Sequence, residues 1–186
     1  TRKFTRFNVL TDGPSLDTAQ IYAVFKDSSD RIWLATDQGV FMQPERKQVF
    51  QMINAIKNDA VLRIFQDQRA DVLLASQNNG LFRFNSKDGQ LENYRHTPTQ
   101  LYGLPSNALF DIFEDKYQML WIASRSGISM FNPKQTITHI QNFTEPSNVK
   151  AANNVKAVTT DNAGMIWLAT AAGVFKQQST ALDFAP

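Results

Sequence analysis

The sequence contains no cysteine, which excludes disulfide staples, thiolate metal sites and a cysteine nucleophile. The compartment stays open on this count, because a cysteine-free chain suits an oxidising space without requiring one. Histidine is nearly as scarce. His96 and His139 are the only two, and neither their distance in sequence nor their neighbours give a metal-ligand spacing, so no metal site is expected. None of the 8 glycines is paired, no glycine-rich phosphate loop opens a helix, and no Gly-x-Ser-x-Gly elbow occurs. No catalytic residue and no cofactor are expected. Charge of one sign is also missing: 19 Lys and Arg stand against 17 Asp and Glu, with no block of like charges. That balance excludes a dedicated nucleic-acid binder, and Arg2, Lys3 and Arg6 read as solvated terminal charges. No stretch approaches the roughly 18 apolar residues of a membrane span, and no charged start leads into an apolar run, so no direct membrane contact is expected. The chain begins with Thr1, which reads as a piece of something longer.

What the 186 residues do contain is one unit written four times, with 42% hydrophobic residues to build a core. Aligned on Trp33, Leu73, Trp121 and Trp167, the columns agree in residue type and spacing. Asp27, Asp67, Asp115 and Asp161 stand six residues before this anchor; Ala35, Ala75, Ala123 and Ala169 stand two after it. A hydroxyl follows as Thr36, Ser76, Ser124 and Thr170, then a turn glycine as Gly39, Gly80, Gly127 and Gly173. Gly80 falls one residue late because Gln77, Asn78 and Asn79 lengthen its loop. Successive anchors lie 40, 48 and 46 residues apart, a period that signals a repeat architecture.

Each unit reads as about four short antiparallel strands. Ile21 to Lys26 alternates with period two and is too rich in β-branched and aromatic residues for a helix. The Asp that ends this strand accepts backbone N–H groups two or more residues on and closes the turn. In Arg31 to Thr36, Ile32 and Leu34 point one way and Trp33 and Ala35 the other, so the strand is apolar on both faces and must be covered on both. Lys87, Asp88 and Gly89 mark a hairpin into a fourth strand through Glu92 and Tyr94. A sheet with two apolar faces hides them by packing between copies of itself, which is the logic of a β-propeller. The fold expected is all-β: a propeller of four blades over about 21–53, 61–95, 109–143 and 155–184, with an N-terminal outer strand at 3–9. The Trp and Ala columns pack the layers between blades, so Trp121 and Trp167 are both expected inside such a layer, and Leu73 should leave its layer thinner.

The segments Phe113-Glu114-Asp115 through Leu120-Trp121-Ile122-Ala123-Ser124 and Gly127, and Asp161 through Ile166-Trp167-Leu168-Ala169-Thr170 and Gly173, resemble the two-component regulator propeller repeat. Gly103-Leu104-Pro105-Ser106-Asn107 resembles the lead into that family's innermost strand. The turn glycine three after the Asp survives only as Gly164; Asp30, Ala70 and Gln118 replace it. The resemblance implies a periplasmic, ligand-sensing region of a membrane receptor whose output is a histidine kinase or a diguanylate cyclase, and a ring of about seven blades of which these four are a part.

Ligands of propellers meet the face built by the loops that lead into each innermost strand and those that join second strand to third. On this chain the ligand-binding candidates are therefore Gln38, Asp59, Asn78, Asn79, Asn107, Arg125, Ser126 and Asn153, and the longer lead-in loops favour the third and fourth units. The ligand expected is a small molecule or an oligosaccharide. A protein-interaction or dimerisation scaffold, with self-association through the first and fourth blades, is the alternative; a propeller lyase or hydrolase ranks third.

Overall fold

The computed structural model describes residues 15–44, 49–99, 103–131, 137–140, 153–178 and 184–185. The expected N-terminal strand at 3–9 lies outside them. Four antiparallel four-stranded meanders follow one another along the chain. Blade 1 holds β1 (Ile21–Lys26), β2 (Ile32–Thr36), β3 (Gly39–Gln43) and β4 (Gln51–Met52). Blade 2 holds β5 (Val61–Gln66), β6 (Val72–Ser76), β7 (Leu81–Phe84) and β8 (Leu91–Tyr94). Blade 3 holds β9 (Leu109–Glu114), β10 (Leu120–Ser124), β11 (Gly127–Phe131) and β12 (Ile137–Ile140). Blade 4 holds β13 (Val155–Thr160), β14 (Ile166–Thr170), β15 (Gly173–Gln177) and β16 (Phe184–Ala185). The innermost strands β1, β5, β9 and β13 lie side by side in that order, and the fold is a β-propeller arc.

The turn between first and second strand is built four times on one carboxylate. Asp27, Asp67, Asp115 and Asp161 each accept, on Oδ1, the backbone N–H groups two and four residues on. The residue three after the Asp is left-handed in every copy, with φ of 60° at Asp30, 69° at Ala70, 64° at Gln118 and 84° at Gly164. Only Gly164 adopts this without steric cost. Ala70→Gly should therefore stabilise the chain by about 0.5–1 kcal/mol, the relief of a Cβ in the left-handed region less the added freedom of the unfolded chain. A higher urea midpoint with an unchanged slope is the expected result; a lower midpoint would show that Ala70 contributes packing that outweighs the strain.

The second carboxylate oxygen ties the turn to the anchor. The indoles of Trp33, Trp121 and Trp167 donate from Nε1 to Oδ2 of Asp27, Asp115 and Asp161 at 2.7, 2.9 and 3.0 Å. One residue type thus satisfies a buried N–H and fills a layer between sheets. The Trp face of each blade packs on the opposite face of the next. Trp33, Ala35 and Val40 meet Ile64, Val72 and Leu74; Leu73, Ala75 and Leu81 meet Ile112, Leu120 and Ile122; Trp121, Ala123 and Ile128 meet Val158, Ile166 and Leu168. Leu73 is fully buried, and the outer part of its layer is filled by the rings of Tyr94 and Phe131, 5.7 Å apart.

Trp167 departs from the expectation. It is half-buried and belongs to none of the three layers, because its face of blade 4 has no fifth blade against it among the described residues. Its column predicts a packed position; the position needs a neighbour that the described residues do not place there.

Candidate functional site

Every blade repeats one backbone stitch at the rim opposite the Asp turns. The residue just after the second strand donates its N–H to the carbonyl just before the first: Asp37 to Gln20, Gln77 to Ala60, Arg125 to Ala108 and Ala171 to Asn154, at 2.8–3.1 Å. Two further bonds join neighbouring blades, Asn58 N–H to the Gln38 carbonyl and Gly80 N–H to the Asn107 carbonyl. Among the described residues, these bonds tie each lead-in to the loop between second and third strands of its own blade and join this rim from blade 1 to blade 2 and from blade 2 to blade 3.

Blade 2 keeps this stitch but differs in the contact its hydroxyl makes. Thr36, Ser124 and Thr170 each turn their hydroxyl onto the carbonyl of the turn glycine three residues later. With one more residue in its loop, Ser76 instead donates to Asp59 Oδ2 at 2.5 Å and accepts the N–H groups of Asn78 and Asn79. Asp59 is thereby drawn into the interior, and its other oxygen, Oδ1, is buried without a hydrogen-bond partner. A buried carboxylate oxygen left unpaired carries a desolvation cost of about 1–3 kcal/mol. Gly80 closes the same loop: a Cβ there would lie 2.2 Å from the Tyr94 carbonyl oxygen, and its φ is +82°.

A cleft of about 300 Å³ opens beside Asp59, lined also by Lys57, Asn79, Asn93 and Arg95 over a floor of Phe82 and Leu91. Asn93 donates to the Asn79 carbonyl at 3.0 Å, and this holds the outer strand to the loop. Lys57 and Arg95 are exposed. The cleft offers acceptors, amides that do both, and two cationic donors, a set suited to a neutral molecule bearing several hydroxyls.

Of the eight candidate residues, Asp59 and Asn79 line this cleft. Gln38 meets the same lead-in segment through its carbonyl, and Asn78 is exposed at the loop tip. The side-chain oxygen of Asn107 accepts the His96 N–H at 2.7 Å, while the His96 ring meets the Leu104 carbonyl. Arg125 and Ser126 are exposed on the loop of blade 3, apart from the cleft. Asn153 is buried in the lead to blade 4, and its Oδ1, like that of Asn154, has no partner. This cleft lies at the second unit. Lys57, Asn93 and Arg95 were not singled out by the repeat columns; the signal for them is that blade 2 departs from its siblings twice, at Leu73 and in the loop length.

A second cleft of about 280 Å³ lies at the opposite rim between the Asp turns of blades 3 and 4, among Met119, Met130, Met165 and Lys116. Among the described residues, no group of three or more His, Asp or Glu could hold a metal ion.

Fold and rim define a repeat propeller whose loops collect polar side chains on one face. Residues 15–38 match the model of the two component regulator propeller family. Among curated proteins the chain is 28% identical over 127 residues to histidine kinase P4 of Formosa agariphila, covering 63% of this chain and 9% of that protein. Among solved structures it resembles the extracellular domain of a hybrid two component system from B. thetaiotaomicron (TM-score 0.69, 18% identity, 92% of this chain and 23% of that one). It also resembles virginiamycin B lyase from Staphylococcus aureus (TM-score 0.65, 15% identity, 92% and 56%). The chain spans about a tenth of the curated relative and about a quarter of the first of these structures.

Proposed function

We propose that this chain is the ligand-sensing propeller region of a membrane signal-transduction receptor, displayed in the periplasm, with a histidine kinase or diguanylate cyclase output carried by the remainder of the parent protein and no catalysis in the propeller. The observation that carries the reading is the cleft of blade 2, lined by the Asp59 carboxylate, two amides and two cationic side chains beside the one loop of the repeat that is a residue longer. The regulator-propeller match over residues 15–38 and the kinase relative support the receptor setting. The lyase shares the fold alone, and folds of this kind host unrelated chemistries.

The test is calorimetric titration of the 186-residue chain with a panel of neutral oligosaccharides, repeated for Asn93→Ala and Arg95→Ala. Both residues are exposed, so neither change should unfold the blade. A saccharide that binds the wild type and loses roughly tenfold in affinity for each variant, about one hydrogen bond's worth, is the expected result. Binding that ignores both substitutions would move the site elsewhere on the rim, and no binding across the panel would retire this ligand class. A scaffold role is the second reading, favoured by large apolar side chains left open at the two end blades.

A further inference from the structure

The joint between blades 3 and 4 is built differently from the two before it. At the first joint the last residue of the inner strand, Gln66, accepts the Ser28 N–H of the preceding Asp turn at 2.9 Å and donates to the Ser28 hydroxyl and the Ala70 carbonyl, both at 3.0 Å. At the second joint Glu114 holds this position; burial raises its carboxyl, and the Gln68 N–H of the preceding turn opposes that rise. At the third joint the shorter Thr160 stands there, and no bond ties it to the Lys116 N–H among the described residues. The cleft of about 280 Å³ lies between these two turns.

Its walls come from both blades. Met119 and Met130 stand on blade 3 and Met165 on blade 4, all half-buried. Met130 is the cross-strand partner of Trp121, a buried indole that lines the same space. Three of the chain's five methionines thus meet at one cleft. Thioethers are polarizable, adapt their shape and make favourable contacts with aromatic rings. Tyr117, 72% exposed, adds a ring on the solvent side.

A single cation reaches across the joint. The Lys116 side chain lies over Gly164 of blade 4, its Nζ and Cε 2.8 and 2.9 Å from where a Cβ on that glycine would stand, and the ammonium sits 5.1 Å from the Tyr117 ring centre. The carboxylates beside it are committed elsewhere. Asp115 accepts the Tyr117 and Met119 N–H groups and the Trp121 indole, and Asp161 pairs with Lys176 at 3.1 Å. Lys116 itself has no carboxylate partner among the described residues.

We propose that this cleft is a second ligand site, separate from that of blade 2, and that it takes a small aryl carboxylate: the ring enters among the three thioethers beside Trp121, and the carboxylate meets the Lys116 ammonium. The space suits one ring with a short chain, and an apolar lining with one convergent charge fixes both the class of ligand and its orientation.

The test uses the 186-residue chain labelled with carbon-13 at the methionine ε-methyls and titrated with hydrocinnamate, then with its uncharged amide. The signals are assigned by replacing each methionine with leucine in turn. Ring-current shifts should move Met119, Met130 and Met165 along one saturation curve, while Met42 and Met52 of blade 1 stay in place. Lys116→Gln alters an exposed side chain, and far-UV circular dichroism checks that the strands are kept. It should weaken hydrocinnamate roughly tenfold, the order of one charge-assisted hydrogen bond, and leave the amide unchanged. Three cleft signals that stay still at millimolar hydrocinnamate, equal movement of Met42 and Met52, or an affinity indifferent to Lys116→Gln would each overturn the proposal.

Discussion

Trp121→Ala is expected to destabilise the chain by about 3–5 kcal/mol, as for a large aromatic removed from a close-packed interior. The indole is buried between blades 3 and 4 against Val158, Ile166 and Leu168, and its loss opens a void that sheets on both sides are too stiff to fill. It also removes the N–H that Asp115 accepts at 2.9 Å. Trp167→Ala provides the contrast. Its indole makes the same bond to Asp161 and lies under the Lys176 ammonium, 4.8 Å from the ring centre, but its face is open, so the expected loss is roughly 1–2 kcal/mol. Urea unfolding of both variants at low micromolar concentration, where self-association is least, measures the difference. Equal losses would mean that the indole–carboxylate bond, not the layer, is what the column supplies.

Asp27→Asn is expected to cost about 3 kcal/mol, while Asp67→Asn should be neutral or stabilising at pH 7. Asp27 Oδ2 accepts Arg31 Nε at 2.6 Å and Trp33 Nε1 at 2.7 Å. An asparagine would turn an NH₂ group toward two donors. Burial pushes the Asp27 carboxyl up, but the Trp33 indole and the backbone and side chain of Arg31 together outweigh it and hold the carboxyl below its ordinary value. In blade 2, Leu73 offers no indole. Burial dominates at Asp67, the N–H groups of Asp71 and Arg69 compensate in part, and the carboxyl sits above its ordinary value.

The two signs predict opposite pH behaviour. Asp27 contributes its full stabilisation above the unfolded-state value of about 3.9, and that contribution fades as pH falls through its lower folded value. Asp161 behaves alike, held low first by the Trp167 indole and then by the Met165 N–H. Asp67 costs stability as pH rises from the unfolded value through its higher folded one, so the advantage of Asp67→Asn should grow over that window and then level off. Unfolding curves of the two variants between pH 3 and 7 measure both slopes, taking the unfolded aspartate value of about 3.9 as reference. A parallel dependence for Asp27→Asn and Asp67→Asn would contradict the role given to the indole.

The strands, their order and the Asp turns were legible in the residues because each rests on local rules that a repeat states four times over: period-two alternation, a carboxylate that caps its own turn, a small residue beside a large ring. The alternate facing of Ile32 and Leu34 against Trp33 and Ala35 follows from the pleat alone, and the layers bear it out. Long-range placement was not legible. Nothing in the columns distinguishes Trp167 from Trp121, since burial belongs to the neighbouring sheet and not to the residue. Asp59 and Asn79 could be placed on the rim from their loops, but Lys57, Asn93 and Arg95 join them through the packing of the lead-in turn against the outer strands of blade 2, which no period encodes. The turn of Ser76 toward Asp59 has the same origin: with one added loop residue the Gly80 carbonyl accepts the Ser76 backbone N–H at 3.0 Å, and the hydroxyl bonds instead to Asp59, 17 residues away in sequence.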